Sequence, residues 1–441
     1  MANERPKVLA LAFAMLLPLA VFAQDGAKRP DAAATARQLL AHMDAAEYAQ
    51  AEAMFDERMA QAVPVEKLQA VWESLPAQAG EAKGRGEPAI ESVDGMQVAT
   101  VPLHYANAEL VAKVAVAGDG RVAGFLIQPA PPPPAPAVAA DAGFREVDFS
   151  VGEGKRALPG TLAMPSGDGP FPAVVLVHGS GPQDRDETIG ANKPFLDIAR
   201  GLAAQGIAVL RYEKRTKARP QDFASGDFGV DEETTDDAVL AVEALRKTPR
   251  IDPDRVFVLG HSQGGMMAPR IAAKSGHVAG LILLAAPSRS LLDIVIEQNR
   301  RLAVLDDGRT SDAERAAINA LVEQVRLIRD PKTDPAAKAI LDQPVGYWRS
   351  VDAVDAVKDA ETDDLPMLVL QGARDIQVVD ADWQNWKAAF HDDPKVTFKL
   401  YDALNHLGIA DEGEGSLAEY GKPGHVDAQL IDDTAAWIKA H

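Results

Sequence analysis

The stretch Val256-Phe257-Val258-Leu259-Gly260-His261-Ser262-Gln263-Gly264-Gly265 restricts the possible folds more than any other part of the chain. Four consecutive apolar residues, mostly β-branched or aromatic, predict a buried parallel strand. They run into Gly-His-Ser-Gln-Gly, and Met266 to Lys274, mostly apolar or small, predicts a helix. Strand, sharp turn and helix is the setting in which a G-x-S-x-G sequence lifts a serine hydroxyl above a sheet edge, on strained backbone. Gly260 and Gly264 suit a chain that doubles back so tightly that side chains two residues either side of Ser262 would collide. Ser262 is therefore the candidate nucleophile. The N–H of Gln263, at a helix start, points to where an oxyanion would form.

The remaining sequence supplies the sheet into which that strand fits. Val147, Phe149 and Val151, then Leu162 and Met164, alternate with polar residues and predict two antiparallel lead-in strands. Buried strands follow at Ala173 to Val177, Ile207 to Tyr212, Val256 to Leu259, Leu281 to Ala285, Leu365 to Leu370 and Val396 to Tyr401. Helical stretches at Pro194 to Gln205 and Asp231 to Lys247 alternate with them, so a mostly parallel eight-stranded sheet covered on both faces is expected over residues 144–441. The alternation breaks at about residues 287–364. Leu291 to Leu305, Ser311 to Ile328 and Pro335 to Leu341 read as helices, and Tyr347-Trp348 closes the segment. An insertion of this length between sheet strands is expected to form a helical cap over a site, its alternative being a surface decoration.

Upstream, Pro129 to Ala142 holds a polyproline run that marks a stiff linker over residues 129–143. Residues 31–128 form a separate unit. Helical spacing at Ala33 to Met43, Tyr48 to Met59 and Val65 to Leu75 precedes strand-like runs at Ala89 to Val93, Met96 to His104, Ala108 to Val116 and Val122 to Ile127. This order predicts a small α+β cone wrapped around one helix. Residues 1–23 carry Arg5 and Lys7, an apolar run, and Val21-Phe22-Ala23 before Gln24, the pattern of a secretory signal peptide. The run is short for a membrane span and contains Pro18, so a periplasmic or secreted protein without a stable membrane span is expected. A formal charge of −20 argues against nucleic acid as a partner. The chain has no cysteine, no H-E-x-x-H, no clustered ligand residues and no phosphate loop, so neither metal nor cofactor is expected.

A serine hydroxyl needs a base, and the base needs an orienting carboxylate. Asp375 follows the strand Leu365 to Leu370 through Gln371-Gly372-Ala373-Arg374, and His406 follows the strand Val396 to Tyr401 through Asp402-Ala403-Leu404-Asn405. Both fall at carboxyl ends of parallel strands, the edge where open α/β sheets build their sites. Asp380 and Asp364 are rival acids and His425 a rival base, the latter in a turn far from any strand end. The second oxyanion donor is expected after the strand Ala173 to Val177, from the backbone of Ser180 with Gly179 beside it. Gln183 to Glu187 reads either as a recognition loop or as a self-paired charged loop.

Gly260-His261-Ser262-Gln263-Gly264-Gly265, His178-Gly179-Ser180-Gly181-Pro182 and Gly372-Ala373-Arg374-Asp375 with His406 resemble the α/β-hydrolase superfamily. More narrowly, they are similar to exported bacterial esterases of the serine-aminopeptidase-like branch, which carry a nuclear-transport-factor-like domain of unknown function at the N-terminus. The resemblance implies Ser262 as nucleophile, Asp375 as acid, His406 as base, and a small-molecule ester of short acyl chain as substrate. Peptide, amide or thioester hydrolysis by the same residues is the alternative, with Glu213 or Asp186 as the clamp for a substrate ammonium. A binding scaffold without catalysis is the third reading. Pro269, inside the helix after the turn, is expected to bend it.

Overall fold

The computed structural model describes residues 31–93, 96–106, 108–130, 136–305, 308–412 and 415–441, which form two compact units that divide at Pro133 and Pro134. The signal-peptide reading of residues 1–23 and the Pro131 to Ala135 part of the linker lie outside the described residues.

In the first unit four helices, α1 (Ala32–Asp44), α2 (Tyr48–Ala53), α3 (Glu57–Ala62) and α4 (Val65–Ala79), precede five antiparallel strands. These are β1 (Ala82–Arg85), β2 (Ala89–Val93), β3 (Met96–Tyr105), β4 (Glu109–Val116) and β5 (Val122–Pro129), ordered β1-β3-β4-β5 with β2 also on β3. Leu39, Leu40 and Met43 of α1 pack with Val101, Leu103 and Val114 of the sheet in a buried core. The single helix expected over Tyr48 to Met59 is broken. The Asp56 carboxylate caps α3 by accepting from Met59 N at 2.7 Å, and Met54 and Asp56 instead bond their backbones to Val122. Strand β1, Ala-Lys-Gly-Arg, is exposed throughout and has no apolar alternation to announce it.

The second unit opens with β6 (Phe144–Val151), β7 (Leu158–Pro165) and β8 (Phe171–Val177), followed by α5 (Pro194–Ala204), β9 (Ala208–Tyr212) and the short α6 (Arg215–Ala218). A π-helical segment, Asp231–Thr235, leads directly into α7 (Asp236–Arg246). Then come β10 (Ile251–His261), α8 (Gln263–Ser275) and β11 (Leu281–Leu284). The insertion contains α9 (Leu291–Leu305), α10 (Asp312–Arg329), α11 (Val345–Asp352) and α12 (Ala356–Asp363), and β12 (Met367–Gly372), α13 (Asp380–Phe390), β13 (Val396–Tyr401) and α14 (Ala428–Ala440) complete the chain. The eight strands are ordered β13-β12-β11-β10-β8-β9-β7-β6. The six from β8 to β13 run parallel, and β7 is antiparallel to both neighbours. Chain direction across the sheet reverses at β8, since β9 lies on one side of it and β10 on the other. Loops leaving β8 and β10 therefore diverge to opposite faces and leave a crevice at their carboxyl ends. Val174, Leu176, Phe257 and Leu259 point to one core layer, and Val175, Val177, Val256 and Val258 to the other.

Pro335 to Leu341, expected as helix, folds back on itself instead. The Asp334 carboxylate takes the Ala336 N–H at 2.9 Å, and Ala337 and Ala339 pair with Val345 and Gln343. Helix α8 runs as one element through Pro269. The root of the insertion is held by Asp382 of α13, which is fully buried and accepts from the Ser288 amide at 3.0 Å and the Arg289 guanidinium at 2.6 Å. Replacing Asp382 by alanine strands these donors, and the expected loss is about 2–3 kcal/mol in urea unfolding of the whole chain. An unchanged midpoint would show that the clamp contributes nothing.

Candidate active site

Strand β10 ends at His261 and α8 begins at Gln263, so a single residue makes the turn. Ser262 has φ 53° and ψ −122°, a conformation that costs a non-glycine residue about 1–3 kcal/mol and persists only where packing enforces it. The packing is severe. A Cβ on Gly260 would lie 2.2 Å from the Gly264 carbonyl oxygen, and one on Gly264 would lie 2.1 Å from that of Val177, at the end of β8. The start of α8 is thus pressed onto two strand ends. Ser262 N donates to Leu284 O of β11 at 2.9 Å, and Met266 N to Ser262 O at 3.0 Å opens the helix ladder.

Asp375 and His406, predicted from different strand ends, meet. His406 Nδ1 and Asp375 Oδ2 are 2.8 Å apart and both residues are buried. The carboxylate is immobilised by its own loop: Oδ1 accepts from Gln377 N at 2.8 Å and Val378 N at 2.9 Å, and Oδ2 also accepts from Gln371 Nε2 at 3.2 Å. With Nδ1 engaged by a carboxylate, Nε2 on the other edge of the ring is the nitrogen left for proton transfer. His406 is tied to the turn through its backbone, because His261 Nε2 lies 2.9 Å from His406 O and the two rings are 4.7 Å apart. The rivals lie elsewhere. His425 is exposed and pairs with Asp197 of α5, Asp364 pairs with Lys395, and Asp380 is exposed at the start of α13.

The loop after β8 passes beside Ser262: a Cβ on Gly179 would be 3.3 Å from Ser262 Cβ. Gly179 itself is not an oxyanion donor, which corrects the expectation for that residue. Its N–H is given to Glu187 Oε1 at 2.6 Å, a charge-assisted bond that leaves no free hydrogen. The Ser180 N–H has no partner among the described residues, and the Gln263 N–H lies in the first turn of α8, where amides lack helical acceptors.

Within Gln183 to Glu187 the Asp184 carboxylate accepts the Asp186 N–H at 3.1 Å, while the charged side chains that follow pair outside the loop. Arg185 bonds Glu213 of the segment after β9 at 2.8 Å, Asp186 bonds Arg211, and Glu187 lies buried against Gly179 and, at 2.9 Å, His261 Nδ1. Glu213 and Asp186, the two candidates for a substrate-ammonium clamp, are thus each paired with an arginine. His178 packs between Phe195 and Tyr212, and burial pushes its imidazole down to about 4, so it is neutral and structural at physiological pH. The sequence reading missed Glu187, Lys214, Glu233 and Tyr347. For Lys214 the signal was present: a cation two residues beyond the buried strand β9, at the carboxyl edge of the sheet.

Comparison with known proteins follows the same division into units. Residues 169–413 match the family described as serine aminopeptidase, S33, and residues 36–125 match a family described as a protein of unknown function, DUF3887. Esterase EstD of Thermotoga maritima is 36% identical over 400 residues, covering 90% of this chain and 93% of that protein. Esterase FrsA of Escherichia coli O157:H7 is 30% identical over 132 residues, 29% of this chain and 28% of that protein. Among solved structures, Est1E from Butyrivibrio proteoclasticus is 16% identical with a TM-score of 0.43, covering 67% of this chain and 99% of that one.

Because His178 binds a proton in the unfolded chain near pH 6.5 but only near pH 4 when buried, the unfolded state holds more protons between these values. Stability from this group therefore rises with pH across that window. The gain in unfolding free energy from pH 4.5 to 6.5 is expected to be about 2 kcal/mol smaller in His178→Asn than in the unaltered protein. Equal gains in denaturant titrations at the two pH values would refute this.

Proposed function

The chain belongs to the serine aminopeptidase (S33) family of α/β-hydrolases and is a serine esterase, and on that premise we propose that Ser262, His406 and Asp375 form its catalytic triad. The observation that carries the assignment is the buried 2.8 Å pairing of His406 Nδ1 with Asp375, joined through His261 to a turn on which Ser262 alone is strained. In the proposed cycle His406 Nε2 takes the Ser262 proton as Oγ attacks the acyl carbon. The carbonyl oxygen becomes an oxyanion held by the Gln263 and Ser180 amides. Collapse of the tetrahedral species expels the alcohol, which His406 protonates, and water then enters by the same route to release the acid and restore Ser262. Asp375 holds the ring in the tautomer with its proton on Nδ1 and stabilises the imidazolium formed in each half-cycle.

Esters of short acyl chains are the proposed substrates, supported by the resemblance of the motifs to short-chain esterases. Amide hydrolysis uses the same chemistry, but with Glu213 and Asp186 both paired to arginine, the clamp that would favour aminoacyl substrates is not formed by these residues. Export is proposed from the signal-like pattern of residues 1–23; among the described residues no helix is long and apolar enough to cross a membrane.

Ser262→Ala is expected to lower kcat for p-nitrophenyl acetate by about 10⁴-fold or more, and Asp375→Asn by about 10³–10⁴-fold with KM little changed. Retention of full turnover by Ser262→Ala would end the assignment. Across p-nitrophenyl esters from two to twelve carbons, kcat/KM is expected to peak at four carbons or fewer; a maximum at long chains would refute the substrate class.

A further inference from the structure

Between the oxyanion-side loop and the insertion lies a buried polar group that the cycle above does not use. Lys214, two residues past β9, is almost completely buried. Its Nζ donates to Gly179 O at 2.8 Å and lies 2.9 Å from Glu233 Oε1. Glu233, buried on the π-helical segment before α7, accepts at Oε2 from the Tyr347 hydroxyl at 2.7 Å and, more weakly, from the Gln263 side-chain amide at 3.4 Å. Tyr347 belongs to α11 of the insertion. π-Helical turns are rare and concentrate at functional sites, and here one carries the carboxylate.

The geometry acquires meaning from peptide planarity. In a trans peptide the carbonyl of one residue and the N–H of the next point in opposite directions. A donor fixed on Gly179 O therefore fixes the direction of the Ser180 N–H, the second candidate oxyanion donor. The preceding peptide is held as well, because Glu187 Oε1 takes the Gly179 N–H at 2.6 Å. Both planes flanking a Cα that abuts Ser262 are thus pinned from behind. An ion on the carbonyl also polarises the amide and makes its N–H a stronger donor. The same carboxylate that balances Lys214 touches the side chain of Gln263, whose own N–H is the other donor.

We propose that Lys214, charge-balanced by Glu233 and braced by Tyr347 of the insertion, is the positioning residue that aims the oxyanion-binding N–H of Ser180. It touches no substrate. It acts through the Gly179–Ser180 peptide, so its effect falls on the charged tetrahedral state rather than on the bound ester. The insertion thereby becomes a structural part of the catalytic machinery, because its Tyr347 hydroxyl completes the coordination of Glu233.

The inference rests on Ser262 being the nucleophile, and the experiment separates the two. In the full chain, Lys214→Met combined with Glu233→Gln removes both charges together, so that neither is left buried alone. The expected result is cooperative thermal unfolding, kcat for p-nitrophenyl acetate lowered about 10- to 100-fold, and KM within about 3-fold of the parent. Binding of an aryl trifluoromethyl ketone, which the serine converts to an anionic hemiketal, is expected to weaken by the same factor as kcat/KM. Unchanged kcat, or a fall in kcat with ketone affinity retained, would overturn the proposal. If the double variant fails to unfold cooperatively, Tyr347→Phe decides. It is expected to lower kcat and ketone affinity in parallel by about 3-fold or more at constant KM, and no parallel loss overturns the proposal. Ser262→Ala run alongside distinguishes the failures: activity there removes the nucleophile assignment itself, whereas inactivity there with an unaffected double variant removes only the role of Lys214.

Discussion

Everything at this site depends on how closely the start of α8 is pressed against the ends of β8 and β10. With Cβ atoms at Gly260 and Gly264 excluded by backbone oxygens little more than 2 Å away, the chain can turn within one residue only by forcing Ser262 to positive φ. The strain is offset by the surrounding sheet, whose buried strands Val174 to Val177 and Val256 to Leu259 leave the turn no room to relax. The same compression brings the loop of β8 against the serine.

Buried carboxylates then hold the pieces in register. Asp375 is fixed by its own loop and fixes His406. Glu187 links the Gly179 amide to the His261 ring, which in turn meets the His406 carbonyl; among its influences burial opposes ionisation while His261 favours it, and its carboxyl is held below the ordinary range. Glu233 gathers Lys214, Tyr347 and Gln263. Each of these carboxylates would be costly to bury alone, so each demands partners from separate elements, and satisfying that demand assembles the loops. Removing one member would leave its partners unpaired in a low-dielectric setting.

The fold of the second unit was legible because buried parallel strands announce themselves as unbroken apolar runs; all eight strands were located, although β7 and β10 begin four and five residues earlier than their apolar runs, at Leu158 and Ile251. Local breaks were harder to see. Tyr48 to Met59 carries helical spacing yet splits, because the Asp56 side chain offers Met59 N a better partner than the helix does. Pro335 to Leu341 is helix-compatible by composition and yields to the Asp334 turn. Gly179 was placed beside the oxyanion by its motif, but the motif could not reveal that Glu187, eight residues on, returns to take its amide.

The sequence by itself determined the order and type of the strands, the sharp turn at Ser262, and the strand ends at which Asp375 and His406 stand. These follow from local rules of periodicity, glycine placement and connection, each acting over a dozen residues or fewer. Tertiary structure alone decided which histidine meets which carboxylate, which amides stay free, and that Lys214, Glu233 and Tyr347 converge behind the site. Those outcomes turn on distances of 2.6 to 3.4 Å between residues up to 114 positions apart, and no local pattern encodes such distances.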